Sequence, residues 1–441
     1  MANRIRFRHA RILTMCPGQE VFRGELWTKD ERIDFIGEEA AAEKELQRRQ
    51  TAGKEIAFDE VIDCAGDLLM PGFKNAHTHS AMCLMRSAAD DLPLSEWLNQ
   101  QIFPVEAQLT GDDIYTLTKL TIMEYLTSGM TGCMEMYLTP ETVADACRDA
   151  GFRCVQVGAM NNFSQSPELV KEMYQKLNGR DAYNSYMLGF HAEYTTSEDR
   201  IRALAELAQE FEAPVWAHIS ETRAEVDGCI ERHGQTPVSY LAGLGLFEYG
   251  GGGYHLVHVT PEDIAILKEK KMTAVTNPGS NMKLASGIAP VADYVREGIP
   301  VAIGTDGPAS NNCLDMFREM FLVTGLAKLR AMDAAEMDAV SVLQMATVNG
   351  ALACGWQDAD VLAAGKLADL IRIDMRKPNM QPEQNIVKNI VYSGSKDNIR
   401  MTMIHGVIRY RDGAFFLDED RDAIYEQADR IKHRIYKDTA L

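Results

Sequence analysis

The sequence lacks two features that would assign it to a membrane or to an oxidising compartment. A membrane-spanning helix needs about 20 consecutive apolar residues, and no such run occurs in these 441 residues. The nine cysteines are scattered without any Cys-x-x-Cys pair, which favours free thiols over a disulfide framework. Residues 1–6 also lack the apolar segment of a signal peptide. These absences predict a cytoplasmic protein without a membrane span.

Positive charge is also scarce in this sequence. Lysine and arginine number 45 against 64 aspartates and glutamates, so the formal net charge is -19. A nucleic-acid backbone or an anionic membrane surface would be repelled by this charge. We therefore expect neither partner, whereas a small-molecule substrate such as a single nucleoside remains compatible because its binding is local.

The residues that are present predict an α/β fold with a large core. Hydrophobic residues make up 46% of the chain, and between residues 66 and 360 short apolar segments alternate with amphipathic ones. Seven or eight such repeats predict a parallel sheet closed as a (β/α)8 barrel of the TIM type. A doubly wound open sheet is the alternative, but no Gly-x-Gly-x-x-Gly opens a helix here. The predicted strands are 68–73, 131–136, 152–159, 187–191, 214–219, 255–259, 273–277 and 300–305.

Both ends of the chain have a different pattern, with short segments typical of strands. We expect residues 1–65 and 361–417, which include a strand-like segment at 389–392, to pair into one small β-sandwich domain. Within the first part, residues 38–52 are rich in alanine, glutamate and arginine and predict a surface helix. Residues 418–441 predict a charged C-terminal helix.

Chemistry-bearing side chains gather at the C-terminal ends of the predicted barrel strands, where active sites of such barrels lie. His77 and His79 follow one strand, and their i, i+2 spacing on an extended chain directs both imidazoles to one side. His218 ends a second strand and Asp306 follows a third. Each residue alone is compatible with an ordinary loop or turn. Together, three imidazoles and a carboxylate predict one zinc or iron(II) ion with an open position for water.

The other histidines are less informative. His255 and His258 flank another strand end, and for His258 a structural role is as plausible as a functional one. The remaining histidines have surface-like or strand contexts and are interpreted as structural or solvated: His9, His233, His405 and His433.

The motif Pro71-Gly72-Phe73 followed by Asn75-Ala76-His77-Thr78-His79 resembles the signature of the amidohydrolase superfamily. The resemblance extends over nearly the whole chain. It is most similar to the branch that contains chlorotriazine hydrolases and the deaminases of methylthioadenosine and S-adenosylhomocysteine. The segments that carry this similarity are 77–86, 91–106, 191–197, 218–222, 277–290 and 304–312.

The resemblance implies a role for each of these side chains. Two-metal members carry a carboxylated lysine at the end of strand four, where this sequence has Phe190-His191-Ala192, so a single divalent ion, zinc or iron(II), is implied. The implied metal ligands are His77, His79, His218 and Asp306. The implied catalytic residues are Glu221, His255 and Asp306. The implied substrate contacts are His191, Trp97 and Glu106, the last with ribose hydroxyls.

The expected reaction is hydrolytic deamination of an adenosine-type nucleoside: 5'-methylthioadenosine, 5'-deoxyadenosine, adenosine or S-adenosylhomocysteine. Glu221 would protonate the ring nitrogen, and Asp306 would take a proton from the attacking water. One alternative is an aminohydrolase or chlorohydrolase of a free base or an s-triazine. Another is a catalytically dead scaffold, but that predicts missing ligands and none is missing.

Two further expectations concern the substrate and the assembly. Residues 158–166, which follow the third barrel strand, contain neither lysine nor arginine, so no cation is available there for a 5' carboxylate. A neutral 5' group should therefore be preferred to S-adenosylhomocysteine. We also expect a homo-oligomer, either a dimer or a tetramer.

Overall fold

The computed structural model describes residues 3–53 and 57–436 of the chain. The strands are β1 (Ile5–Ile12), β2 (Phe22–Lys29), β3 (Arg32–Glu38), β4 (Glu60–Asp63), β5 (Leu68–Pro71), β6 (Phe73–Thr78), β7 (Met130–Glu135), β8 (Arg153–Val157), β9 (Asn184–Ala192), β10 (Val215–Ile219), β11 (Gly251–His255), β12 (Met272–Thr276), β13 (Val301–Ile303), β14 (Leu370–Ile373), β15 (Ile399–Ile404), β16 (Val407–Arg411) and β17 (Ala414–Phe415).

The α-helices are α1 (Glu39–Thr51), α2 (Leu94–Glu96), α3 (Phe103–Glu106), α4 (Gly111–Thr127), α5 (Pro140–Ala150), α6 (Pro167–Leu177), α7 (Glu198–Phe211), α8 (Arg223–His233), α9 (Pro237–Gly243), α10 (Pro261–Glu269), α11 (Pro278–Lys283), α12 (Val291–Arg296), α13 (Met316–Ala331), α14 (Ala339–Gln344), α15 (Gly350–Ala353), α16 (Ile386–Tyr392) and α17 (Arg421–Tyr436). A π-helical turn, Trp97–Ile102, joins α2 to α3. No helix within the described ranges has both the length and the apolar character needed to cross a bilayer.

Strands β6 to β13 form an eight-stranded sheet in sequence order, and the paired strands run parallel. The first and last strands meet where the Asp306 amide donates to the His77 carbonyl (2.9 Å) and the Thr305 amide donates to Asn75 Oδ1 (2.9 Å). The intervening helices bury one face each; α7, for example, buries Ile201 and Leu204 at helical spacing. The predicted (β/α)8 barrel is thus confirmed.

The two chain ends build one further sheet, as predicted. Its strand order is β17-β16-β15-β14-β5-β1-β2-β3, with β4 beside β1. Strand β5 lies between the N-terminal β1 and the C-terminal β14, pairing Arg11 with Leu68 and Leu370 with Pro71. Hydrogen bonding therefore links the strands of the predicted sandwich into one continuous mixed sheet, which we call the composite sheet.

The predicted strand 68–73 is in fact divided between the two sheets. Residues Leu68–Pro71 belong to the composite sheet as β5, and the barrel begins with β6 at Phe73. Gly72 separates them, and a Cβ at this position would lie 2.1 Å from Thr131 Cγ2. The chain can therefore pass from one sheet to the other only with glycine at this crossing.

The strand predicted at 255–259 lies earlier, at Gly251–His255. Glycines usually weaken strands, so the glycine run before His255 carries no local strand signal. Here the neighbouring strand is too close for side chains: a Cβ at Gly251 would lie 1.9 Å from the Val215 carbonyl oxygen, and one at Gly252 would lie 2.2 Å from the Trp216 ring. The shift makes His255 the last residue of its strand.

Residues 389–392 are helical rather than strand-like, because they lie inside α16. Asn385 caps this helix by accepting a hydrogen bond from the Lys388 amide (2.9 Å). A short apolar segment does not distinguish a strand from a buried helical turn. By contrast, local signals mark the start of α4, where Thr110 and Asp113 form a capping box.

Candidate metal and substrate site

The four residues proposed as metal ligands converge at the C-terminal end of the barrel. All four are buried, and one nitrogen or oxygen atom from each lies within 4.8 Å of those of the others. Asp306 Oδ1 is 3.4 Å from His77 Nε2 and 3.2 Å from His79 Nε2. His77 and His79 lie at the end of β6, and the fourth residue, His218, lies in β10.

The backbone around Asp306 has an unusual shape that directs its carboxylate into the barrel. Asp306 has a φ of 59°, in the left-handed region that non-glycine residues rarely occupy. Gly304 allows the close approach of β6, because a Cβ there would lie 2.7 Å from the Cβ of His77. The segment Gly304-Thr305-Asp306 is thus a tight turn against the strand that carries the histidines.

Outer hydrogen bonds orient the candidate ligands. The Nδ1 atom of His218 donates to the His191 carbonyl (2.8 Å), and that of His79 donates to the Met136 carbonyl. Both bonds leave the Nε2 lone pairs free to face the centre of the site. The Oδ2 atom of Asp306 is likewise occupied, accepting from Ser280 Oγ (2.6 Å) and Ser310 Oγ (2.8 Å), so Oδ1 faces the imidazoles.

The chemistry of these atoms fits a divalent cation. Both ring nitrogens of His77 are buried without a hydrogen-bond partner, an arrangement that is costly unless another group satisfies them. Burial lowers the pKa of His77 to about 3, and burial and the neighbouring imidazoles lower the pKa of His218. Burial alone would raise the pKa of Asp306, but the adjacent imidazoles of His77 and His79 outweigh burial and hold this pKa well below its usual value. Neutral imidazoles with an ionised carboxylate are the protonation states that bind metal. At His79 burial is outweighed by Asp306, which raises the pKa to about 9, so a bound cation would displace a proton from this imidazole.

Two further candidates, Glu221 and His255, lie beside this cluster. The His255 Nε2 atom is 3.8 Å from Glu221 Oε2, and the His255 Nδ1 atom is 2.7 Å from Asn281 Oδ1. Glu221 Oε1 also accepts from Ser286 Oγ (3.3 Å). Burial raises the pKa of Glu221, which favours the protonated carboxyl group more than at an exposed position.

A cavity of about 540 Å³ opens above these residues, a size typical of small-molecule sites. Each predicted substrate contact lines it: Trp97, Glu106 and His191. The helical segment from α2 through the π-helical turn to α3 forms one wall of the cavity and carries the first two. Burial raises the pKa of Glu106, at the end of this segment, to about 7. His258 does not line the cavity but bonds through Nε2 to the Ser286 carbonyl (2.7 Å).

Sequence reasoning missed three buried carboxylates behind this site. Both oxygens of Glu135 accept from the Ser80 amide (3.0 Å each), and Ser80 follows the candidate ligand His79. Glu319 accepts from the Gly279 amide (2.9 Å); the third, Glu225, is described below. Glu135 could have been identified from the sequence, because it is a carboxylate at the end of barrel strand β7. No neighbouring residue in the sequence indicates a role for Glu319.

Known proteins similar to this chain agree with the geometry. The chain is 37% identical over 394 residues to the 5-methylthioadenosine/S-adenosylhomocysteine deaminase of Thermoanaerobacter pseudethanolicus, with 87% of this chain and 91% of that protein covered. It is 39% identical over 370 residues to the 5'-deoxyadenosine deaminase of Methanothermobacter thermautotrophicus, with 82% and 86% covered. An adenosine deaminase structure from Xanthomonas campestris with bound zinc has a TM-score of 0.90 at 30% identity, with 98% of both chains covered.

The family model gives the same assignment. The model of the amidohydrolase family matches residues 68–409, which include the whole barrel and most of the C-terminal strands. The branch inferred from the sequence motifs is the one that contains the named deaminases. The chain therefore belongs to the amidohydrolase family.

Proposed function

We propose that this protein is a metal-dependent hydrolytic deaminase of adenosine-type nucleosides, which releases ammonia and the corresponding inosine analogue. The observation that carries this proposal is the juxtaposition of a buried three-histidine and aspartate cluster with the Glu221 carboxyl group in one cavity. The names of the similar deaminases support the same reaction.

The residues that would hold the metal are His77, His79, His218 and Asp306. We propose a single zinc ion, because three nitrogens and one oxygen suit it and a similar structure contains zinc. A divalent cation at such a site lowers the pKa of water, so that hydroxide is available at neutral pH.

The chain's own side chains then donate and accept the protons of the reaction. Glu221 holds a proton at its carboxyl group and delivers it to the ring nitrogen next to the carbon that bears the amino group, which makes that carbon electrophilic. Asp306 accepts a proton from the attacking water, and delivery of a proton to the amino group then lets the C–N bond break and ammonia leave. His255, held by Asn281 through Nδ1, keeps Nε2 toward the reacting centre and stabilises the negative charge that develops there.

At the other end of the substrate, Glu106 supports a nucleoside over a free base. An ionised carboxylate accepts two hydrogen bonds from a vicinal diol, and a free base or a triazine has no such group. Trp97 supplies an aromatic surface, and His191, which lines the same cavity, supplies a polar contact. Because a free base or a triazine would not use the contact with Glu106, we place these two reactions second.

The cavity also favours a neutral 5' group. Among the described residues that line it, none is a lysine or an arginine. Arg200, on α7 behind the 161–165 loop, is engaged by the carbonyls of Asn161 (2.8 Å) and Gln165 (2.9 Å). A 5' carboxylate would therefore lack a charge-assisted partner, which costs about 1.5–3 kcal/mol.

An ammonia-release screen tests the proposed function. We expect kcat/KM for 5'-methylthioadenosine, 5'-deoxyadenosine and adenosine to exceed that for S-adenosylhomocysteine by about 10- to 150-fold. Turnover confined to free bases or triazines would replace the nucleoside reaction with the second candidate. Absence of turnover on every compound by metal-loaded enzyme would favour the inactive scaffold.

We also propose a cytoplasmic homo-oligomer. The nine cysteines, which all lie in the described ranges, form no disulfide, in keeping with a reducing compartment. Light scattering of the purified protein would give the number of subunits.

A further inference from the structure

The start of helix α8 contains a carboxylate that does more than cap the helix. Thr222 is the N-cap residue, and its hydroxyl accepts from the Glu225 amide (3.2 Å). In a capping box the carboxylate three residues on would return to the amide of the N-cap residue itself. Here Glu225 reaches further back: Oε1 accepts from the Ser220 amide (2.8 Å) and Oε2 accepts from the Glu221 amide (2.7 Å).

The turn that Glu225 holds is a constrained one. Ser220 has a φ of 54°, a left-handed conformation that costs energy for a residue other than glycine. Its carbonyl accepts from the amides of Val257 (3.0 Å) and His258 (2.9 Å), in the loop after β11. The turn is therefore fixed from α8 on one side and from the loop following His255 on the other.

We propose that Glu225 is a positioning residue for the reaction, acting through Glu221. It holds the Glu221 backbone so that the carboxyl group faces the cavity within reach of His255. The inference rests on the proposed function, in which Glu221 delivers the proton. Glu225 itself is 6% exposed and does not line the cavity, so it does not touch substrate.

Both oxygens of Glu225 are needed as acceptors, which makes the glutamine variant informative. In Glu225→Gln one oxygen becomes an NH2 group, which would face a backbone N–H donor and could not accept from it. The turn would then relax, and the Glu221 carboxyl group would move. A misplacement of about 1 Å costs on the order of 100-fold in rate.

The experiment is a double-mutant cycle with Glu221→Gln, Glu225→Gln and the double variant, each assayed for kcat, KM and bound metal. We expect Glu225→Gln to lower kcat by about 10- to 100-fold, with metal content unchanged and KM changed by less than about threefold. In the Glu221→Gln background, Glu225→Gln should add less than about twofold, since both act through one group.

A matched control removes a buried carboxylate far from the site. Glu25, 4% exposed in the composite sheet, accepts from Arg6 and Trp27, and Glu25→Gln should lower thermal stability while leaving kcat unchanged. If Glu225→Gln yields too little folded protein, Glu225→Asp applies the same test, because its side chain is one methylene shorter but keeps both carboxyl oxygens.

The possible outcomes separate the two hypotheses. Near wild-type turnover by Glu221→Gln would overturn the role of Glu221 in the proposed function. The positioning role alone would be overturned if Glu221→Gln loses activity while Glu225→Gln keeps its kcat. It would also be overturned if the losses of the two single variants are fully additive in the double variant.

Discussion

At the scale of single residues, His77 is the most stringent test of the metal site. Its buried ring nitrogens have no hydrogen-bond partner, and replacing even an outer partner of a metal-bound histidine costs about 10- to 100-fold. We therefore expect His77→Ala to lose metal and to lose more than about 100-fold in activity. Elemental analysis beside the assay checks this. His433→Ala, at an exposed position of α17, should change neither, and full metal content in His77→Ala would argue against this ligand.

Glu106 predicts a pH dependence of substrate binding. Burial raises its pKa to about 7, and the ionised form accepts hydrogen bonds from a diol. The bonds should be present above this pKa and weaken as the pH falls through it. KM should therefore rise as the pH is lowered from about 8 to about 6, which is about one unit on each side of the pKa. In Glu106→Gln, KM should be higher and independent of pH over the same range. A KM profile that is equally steep in both proteins would exclude Glu106 as the titrating group.

At the scale of elements, the glycines of β11 allow a test of the close packing between β11 and its neighbouring strand. A Cβ at Gly252 would lie 2.2 Å from the Trp216 ring, and forced overpacking costs about 1–3 kcal/mol. We expect Gly252→Ala to lower the unfolding midpoint. Gly325→Ala is the matched control, because nothing lies within 4 Å of a Cβ there and alanine favours a helix. Equal stability of the two variants would contradict the packing argument.

The elements also show which parts of the fold could be predicted from sequence. Helix α4 was predictable because its capping box and apolar spacing are local signals. Strand β11 was not, because its glycines are explained by the proximity of Val215 and Trp216, which are distant in sequence. The four candidate ligands were predictable because parallel strands end at one rim of a barrel. In the sequence, Glu225 has the spacing of an ordinary capping residue after Thr222. Its actual partners, the amides of Ser220 and Glu221, depend on the turn at Ser220 and could not be predicted.

At the scale of the whole molecule, the barrel and the composite sheet depend on one another. We keep as a proposal the division into residues 1–65 with 361–417, residues 66–360 and the C-terminal helix 418–441, with β5 at the start of the second part pairing into the composite sheet. A truncation after residue 360 removes β14, the partner of β5, and removes Asp369, whose Oδ2 lies 3.2 Å from the buried Arg153. Such a loss leaves a buried charge unpaired, which costs about 3–5 kcal/mol. We expect the fragment to be insoluble or to unfold without cooperativity in urea, and a soluble, active fragment would refute this dependence.

The position of β5 also has a consequence for synthesis on the ribosome. Strand β5 pairs with β14, and Pro71 and its partner Leu370 are 370 - 71 = 299 residues apart in sequence. At about 5–20 residues per second, translation needs roughly 15–60 s to cover that distance. During this interval one edge of β5 is complete but has no neighbour, so the nascent chain must be kept from pairing with other chains until its own C-terminal strands emerge.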